Sequence, residues 1–596
     1  MHPPDLEVWA PFARGVEVVL ASGERHPMTS REGGWWGWVV SEPSPGSLDY
    51  AFSIDGGDPL PDPRSAWQPF GVHGPSRRFD ASAFAWQDTG WRGPRGGRGA
   101  LGGVLYELHV GTFTAGATLD SAIERLDDLR ELGVDVVEVM PVAAFGGAYG
   151  WGYDGGAPYA VHDPYGGPAA FQRFVDACHV RGLGVCLDVV YNHLGPTGNY
   201  LPRFGPYFTE AHPTPWGPAV NLDAPGSEVV RRWIIDNALR WFRDFHVDAL
   251  RVDAVHELRD TSPRHLLAEL ADDVQALAGE LGRPLQLIAE SDLNDTAMVA
   301  PTDRGGLGMD GQWADDVHHA LHVTLTGETQ GYYADFAGHG AALPDGGPLA
   351  VLAKTLQEVF LHDGCFSSFR NQPWGKAVDR SVVCGHRFVA YLQTHDQVGN
   401  RALGDRIGEA IPPGLQAVGA ALYLLSAYTP MIFMGEEWQA STPFRFFTSF
   451  EEDWLAEAVR TGRRSEFASH GWRMEDVPDP QDPATYAASV LRWEESNQDG
   501  HRRMREFYRR LIQLRHSEAS VEDGALGDVS CTFDENAGWF VMSRRDIDIV
   551  ANLRDTAQWL PVGAGASEVL ASWSAGVRIR GGGLELAGHD VAVVRR

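Results

Sequence analysis

The sequence predicts an α/β protein: a (β/α)8 TIM barrel flanked by an N-terminal and a C-terminal β-sandwich. Three observations carry that reading. From Val104 to about residue 520, short apolar runs alternate with amphipathic helical stretches, as parallel strands joined by helices do. On either side of that region, short strands punctuated by Gly and Pro replace the alternation. Four segments then present an acid or a histidine where a barrel strand should run into its loop: Asp188-Val-Val-Tyr-Asn-His193, Leu250-Arg-Val-Asp253, Leu287-Ile-Ala-Glu290 and His395-Asp396. In a parallel barrel that point is the mouth, where catalytic side chains gather.

Residues 1–90 read as a small sandwich, with strands at Glu7-Val-Trp-Ala, Gly15 to Leu20, Gly34 to Val40 and Asp49 to Ile54. Residues 91–103 are Gly/Arg-rich and without period, the texture of a linker. The barrel occupies 104–520. Its strands are expected at Val104 to His109, Val136 to Met140, Val185 to Asp188, Ala249 to Asp253, Leu285 to Glu290, Phe388 to Gln393 and Thr429 to Met434. Helices are expected at Leu119 to Glu131, Ala169 to Arg181, Ser227 to Phe245, Pro263 to Leu281 and Gly414 to Tyr428. A basic amphipathic helix, His501 to Arg515, is placed to close the barrel. Residues 521–596 return to short strands, among them Trp539 to Met542, Ile547 to Asn552, Val577 to Arg580 and Val591 to Val594.

Composition narrows the function. A formal charge of −31 disfavours nucleic acid and anionic membranes, and suits a neutral substrate or plain solubility. No apolar run approaches the ~18 residues of a membrane span, and the start of the chain lacks the basic and apolar regions of a secretory leader. Five cysteines without CxxC spacing argue against a disulfide framework or zinc site and point to a cytoplasmic protein. Twenty Trp and sixteen Tyr supply many rings of the kind on which sugar faces stack, although most rings in any chain are core.

The motifs themselves point to carboxylate chemistry. Arg251 and Asp253 lie two apart on one strand and share a face, so the guanidinium can keep the acid ionised. Glu290 ends an apolar run, where a raised pKa would make it a proton donor. Asp396 has His395 before it and Gln397, Asn400 and Arg401 behind, a cluster able to hold hydroxyls and stabilise positive charge. Asp188 and His193 bracket another strand end. Read singly, each motif is equally compatible with a structural ion pair or a polar loop.

Together and in this order, the four motifs resemble the α-amylase superfamily of retaining glycosidases, glycoside hydrolase family 13. The resemblance implies Asp253 as nucleophile, Glu290 as general acid/base and Asp396 as transition-state stabiliser. It implies that Asp188, His193, Arg251 and His395 line the subsite of the attacked glucose, with Tyr153 in Gly150-Trp-Gly-Tyr-Asp-Gly155 as its aromatic platform. Two positions depart from the family's habit: Ala249 where Gly is common, and Thr394 where Asn is common. Both are small replacements beside retained acids. Asn192 matches a position near calcium in some α-amylases, but no second carboxylate cluster completes an oxygen-rich site, so neither metal nor organic cofactor is expected.

Outside the four motifs the chain resembles the maltooligosyltrehalose trehalohydrolases of that family. The carrying segments include Asp163-Pro-Tyr-Gly-Gly-Pro168, Asp253-Ala-Val-His256, Ala289 to Asp295, Gln312-Trp-Ala-Asp-Asp-Val-His-His-Ala-Leu-His322 and Gly435-Glu-Glu-Trp438. This implies maltooligosyltrehalose as substrate and a maltooligosyltrehalose synthase as functional, not necessarily physical, partner. It places Asp315, Asp316, His318 and His319 in a trehalose pocket and His256 near the leaving glucose. The two histidines bracing a barrel loop is the competing reading. A glycogen-branching transferase is the enzymatic alternative, and a glucan-binding scaffold without activity is a third, opposed by the intact trio.

Overall fold

A computed structural model of the chain describes residues 6–40, 48–338, 340, 342–344, 346–469, 473 and 475–596, the side chains of 468 and 469 excepted. Residues 1–5, part of the start read above for a leader, lie outside that set. Eight parallel strands close into a barrel. They are Leu105–Leu108, Val136–Val139, Gly184–Val189, Ala249–Val252, Gln286–Ala289, Gly311–Trp313, Phe388–Tyr391 and Thr429–Phe433. Met431 opposite Leu105 joins the eighth strand to the first. Seven of these were expected. The sixth, Gly311–Trp313, is three residues long, too short to show a period. It opens the segment whose downstream part forms the helix Asp315–Thr326.

The expected helices form with small shifts of their ends. Those from Gly167–Val180, Ser227–Asp244 and Leu266–Leu281 each bury one apolar face on the barrel. The stretch 119–131 is two helices, Leu119–Ile123 and Leu126–Leu132. Among the described residues, no helix is long and apolar enough to cross a membrane.

The barrel is filled from inside. Leu105, Val136, Cys186, Ala249, Ile288, Trp313, Val389, Tyr391 and Met431 form one buried cluster with Ala100 and Leu101. The segment 91–103, expected to be a linker, is therefore packed rather than free at its end. Ala100 N–H donates to Gln286 Oε1 at 2.5 Å and Gly102 N–H to Thr429 Oγ1 at 2.7 Å, so the segment seals the barrel floor. Its glycines let the chain turn tightly beneath the strands, which composition alone cannot tell from flexibility.

Each flanking domain pairs two small sheets. The N-terminal one has Leu6–Trp9, Trp35–Trp38 and Thr29–Ser30 in one sheet. The other holds Arg25–Pro27, Val16–Leu20, Asp49–Ile54 and Ser76–Arg77. The C-terminal domain combines a five-stranded and a three-stranded sheet. Between it and the barrel runs the helix Asp499–Ser517. Arg515 on that helix is wholly buried and donates to the carbonyls of Leu424, Ser426, Tyr428 and Gly102 at 2.6–3.4 Å. These carbonyls belong to the turn that feeds the eighth strand and to the floor segment. Arg515→Met keeps the volume and removes every donor. We expect a loss of about 3–5 kcal/mol, read as a lower urea midpoint; an unchanged midpoint would show the carbonyls to be satisfied otherwise.

Candidate active site

Strand alternation determines what reaches the mouth. Ala249 and Arg251 lie on the inward face of the fourth strand, and Asp253 follows in step just past its end. Arg251 is fully buried, and its Nη1 donates to Asp188 Oδ2 at 2.7 Å and to Asp253 Oδ1 at 2.9 Å. Its Nη2 lies 3.0 Å from Glu290 Oε2. The guanidinium rests 4.3 Å from the centre of the Trp313 ring and 5.8 Å from that of Tyr153. One cation thus joins three carboxylates contributed by the third, fourth and fifth strands.

Their protonation diverges. Burial pushes Asp253 up, but Arg251, an Asn192 hydrogen bond of 2.9 Å and His193 together hold it below the ordinary aspartate range. Burial pushes Glu290 up too; Arg251 pulls back, Asp253 and Asp396 add to the rise, and the balance stands at about 8. Glu290 Oε2 also accepts from the Ala254 amide at 2.8 Å. That amide is aimed by backbone strain, for Ala254 sits at φ 38°, in the left-handed region. Asp188, buried against Arg251, stands at about 7.

Asp396 lies in the first turn of the helix His395–Gly399, capped by Thr394. Asn400 Nδ2 donates to Asp396 Oδ1 at 3.0 Å, and His395 Nε2 is 3.5 Å from its Oδ2. Its side chain is 36% exposed, so it borders the open mouth. Thr394, the departure from Asn noted above, supplies the cap and bonds Gln397. His395 is itself buried, with Nδ1 2.5 Å and backbone N 2.9 Å from the Glu107 carboxylate. Burial works against its charge, yet Asp396 and Glu107 raise it to about 9. Tyr153 stacks on His395 at 5.0 Å and donates its hydroxyl to Asp188 Oδ2 at 2.6 Å. His193 stacks on Trp216 at 4.2 Å.

The structure therefore brings together Tyr153, Asp188, Arg251, Asp253, Glu290, His395 and Asp396, with Asn400 on the last and His193 beside Asn192. Arg401 is engaged elsewhere, by Asp405 at 2.7 Å and Glu328 at 2.9 Å. His256 faces Asp292 at 3.8 Å, and Asp292 in turn accepts from Arg370 at 2.9 Å. On the helix Asp315–Thr326, Asp316 accepts from Asn294, Leu361 N–H and His362 N–H at 2.7–3.1 Å. His318 bridges the Leu392 carbonyl and Tyr333 hydroxyl at 2.9 and 3.1 Å. These two spend their polar atoms on the frame. Asp315 meets Tyr391, and His319, one turn along, lies among Tyr332, Tyr333 and Phe336.

Sequence reasoning missed Glu107, Trp313 and Trp216 as parts of this site, and it read Asn192 only as a position near calcium. Glu107 carried a signal: a lone acid on the inward face of an otherwise apolar strand. The indole faces carried none.

Comparison with known proteins agrees across the chain. Residues 88–204 match the model of the α-amylase catalytic domain, and residues 4–70 that of carbohydrate-binding module 48, the isoamylase N-terminal domain. The malto-oligosyltrehalose trehalohydrolase of Arthrobacter ramosus is 52% identical, over 99% of this chain and 99% of its own. That of Mycobacterium tuberculosis is 48% identical at the same coverages. A crystal structure from Salmonella typhimurium, assigned provisionally as an α-amylase, superposes with a TM-score of 0.89 at 37% identity, over 99% of this chain and 97% of that one.

The ion pair of His395 with Glu107 makes a stability test. The folded-state value of about 9 exceeds the ordinary 6.5. The pair's stabilisation is therefore complete below pH 6.5 and fades as pH rises through about 9. The melting gap between the native protein and His395→Gln should narrow over that interval; a gap constant with pH would contradict the assignment.

Proposed function

This chain belongs to the malto-oligosyltrehalose trehalohydrolase family of α-amylase-type glycosidases, and we infer that it hydrolyses the α-1,4-glucosidic bond joining a terminal trehalose to a maltooligosaccharide. The products are trehalose and a shortened chain. The observation that carries the chemistry is the split between two neighbouring acids. Asp253 is held ionised by Arg251 while Glu290, on the next strand, is held protonated. Two carboxyl groups pushed apart in this way can divide the labour of nucleophile and acid.

Asp253 attacks the anomeric carbon as Glu290 protonates the departing oxygen of trehalose. A covalent glycosyl–enzyme forms. Glu290, now ionised, takes a proton from water, which releases the sugar with retention. Asp396, at the open edge of the mouth, faces the positive charge that grows at the anomeric carbon. Tyr153 offers its ring to the sugar face, while Asp188, His193 and the protonated His395 take hydroxyls. On the leaving side, His256, Asp315 and His319 receive the trehalose, with Asn400 and Gln397 at the rim. Asp316 and His318 hold the helix that carries Asp315 and His319, and Arg401 braces the loop behind Asp396. A synthase that forms the 1,1 link supplies the substrate. Five free cysteines are in keeping with a reducing cytoplasm.

Incubation with maltooligosyltrehalose and with plain maltooligosaccharide tests the substrate. Trehalose should appear from the first, and the first should be cut faster; α-1,6 branches without trehalose would identify a branching transferase instead. His319→Ala should slow trehalose release more than it slows cleavage of plain maltooligosaccharide, and equal loss on both would remove His319 from the pocket. Asp253→Asn should lose at least about 10³-fold in kcat. The pH profile of kcat/KM has its own signs. It should fall as pH rises through about 8, when Glu290 loses its proton, and on the acid side only below the ordinary aspartate value of 3.8. An alkaline limb near 4.5, where an unperturbed glutamate titrates, would refute the acid assignment.

A further inference from the structure

Beneath the mouth lies a carboxyl group that the reaction does not use. Glu138 stands at the inward position of the second strand, between Glu107 on the first strand and Cys186 on the third. Barrel interiors at this depth are ordinarily filled by branched apolar side chains. Glu138 is 0% exposed; among the described residues no N–H or O–H group reaches either of its carboxyl oxygens, and the weakly donating Cys186 thiol on the third strand is the hydrogen-bonding group beside them. Among the described residues, three further buried atoms on Asp188 and Arg251 lack a hydrogen-bonding partner: Asp188 Oδ1, Arg251 Nε and Arg251 Nη2, the last of which lies 3.0 Å from Glu290 Oε2. Asp188 and Arg251 are paired in register across the third and fourth strands, and both lie within electrostatic reach of Glu138.

Such atoms are rarely left alone in a folded protein. Here they come as a complementary set. Arg251 Nε is a donor, Asp188 Oδ1 an acceptor, and a neutral carboxylic acid is both. We propose that Glu138 is a positioning residue that acts as a neutral carboxylic acid, joined through one buried water to Asp188 Oδ1 and Arg251 Nε, and thereby fixes the guanidinium on which the catalytic acids depend. Three convergent polar partners are what a buried water requires.

Neutrality is central to this role. The groups facing Glu138 are Glu107, Asp188 and Cys186, with Arg251 as the cation and His395 behind Glu107. Burial and the charges of Glu107 and Asp188 raise Glu138 to about 8, against the pull of Arg251. An ionised Glu138 would add another negative charge to this row and compete with Asp253 for Arg251. A neutral one donates a hydrogen bond without that competition. This role rests on the proposed roles of Arg251 and Asp253.

Two variants and one spectrum test it. Glu138→Gln keeps a neutral side chain with a donor and an acceptor, and kcat should stay within about threefold of native. Glu138→Leu keeps the volume and loses both; kcat should fall about 10–100-fold with KM nearly unchanged. Its acid limb in kcat/KM should move to higher pH, because Arg251 no longer holds Asp253 as firmly. The infrared difference between native protein and Glu138→Gln at neutral pH should show one protonated-carboxyl band in the native protein alone. A Leu variant with native kcat and acid limb would overturn the proposal, as would a Gln variant as impaired as the Leu variant. Absence of the band would overturn it too, and the spectrum and the Gln variant suffice if the Leu variant does not fold. Full activity in Asp253→Asn would sink the nucleophile assignment while leaving the infrared band unchanged, so the two failures are distinguishable.

Discussion

The site turns on one buried guanidinium. Arg251 has no exposed surface, yet it meets Asp188, Asp253 and Glu290 within 3.0 Å. Three ionised carboxylates around one cation would leave two uncompensated charges in a water-poor barrel, which is costly. The fold relieves this by keeping Glu290 protonated and pushing Asp188 to about 7 while Asp253 stays charged. The division of roles proposed for Asp253 and Glu290 follows from charge balance around Arg251. The faces of Trp313 and Tyr153 cover the cation and limit its escape to solvent.

A second cation completes the arrangement. His395 is kept charged by Asp396 and by Glu107, an acid on the first strand: Nδ1 meets Glu107 and the other nitrogen faces Asp396. The pairs of Arg251 with Asp188 and Glu290 and of His395 with Glu107 run between strands rather than along one, so they depend on closure. Closure depends in turn on the floor. Ala100 and Leu101 pack beneath the strands, and Arg515 ties the turn before the eighth strand to Gly102. The flanking segments thus act on the mouth through the barrel's register.

Much of this was legible in the chain. Apolar runs ending in an acid marked the third, fourth and fifth strands, because a barrel strand must be apolar where it is enclosed and polar where it opens. Period-2 alternation placed Arg251 beside Asp253 without any structure. The sixth strand was not legible, since three residues contain too little pattern, and its Trp313 reads like any core indole. In the block from Asp315 to His319 the sequence could not distinguish neighbours. Helical geometry does: Asp315 and His319 share one face, while the hydrogen bonds of Asp316 and His318 go to the frame.

By itself the sequence determined the fold class and the order of the elements and marked the acids at the strand ends as candidates, because these follow from local pattern: burial period, strand ends and the residue types that carry charge. Only the tertiary structure decided how those acids differ from one another. A carboxyl group's affinity for its proton depends on what surrounds it in space. Arg251 already neighbours Asp253 along the chain, but the other partners that matter — Asn192 for Asp253, Arg251 and the Ala254 amide for Glu290, Glu107 for His395 — come from separate strands and loops that meet only when the barrel closes.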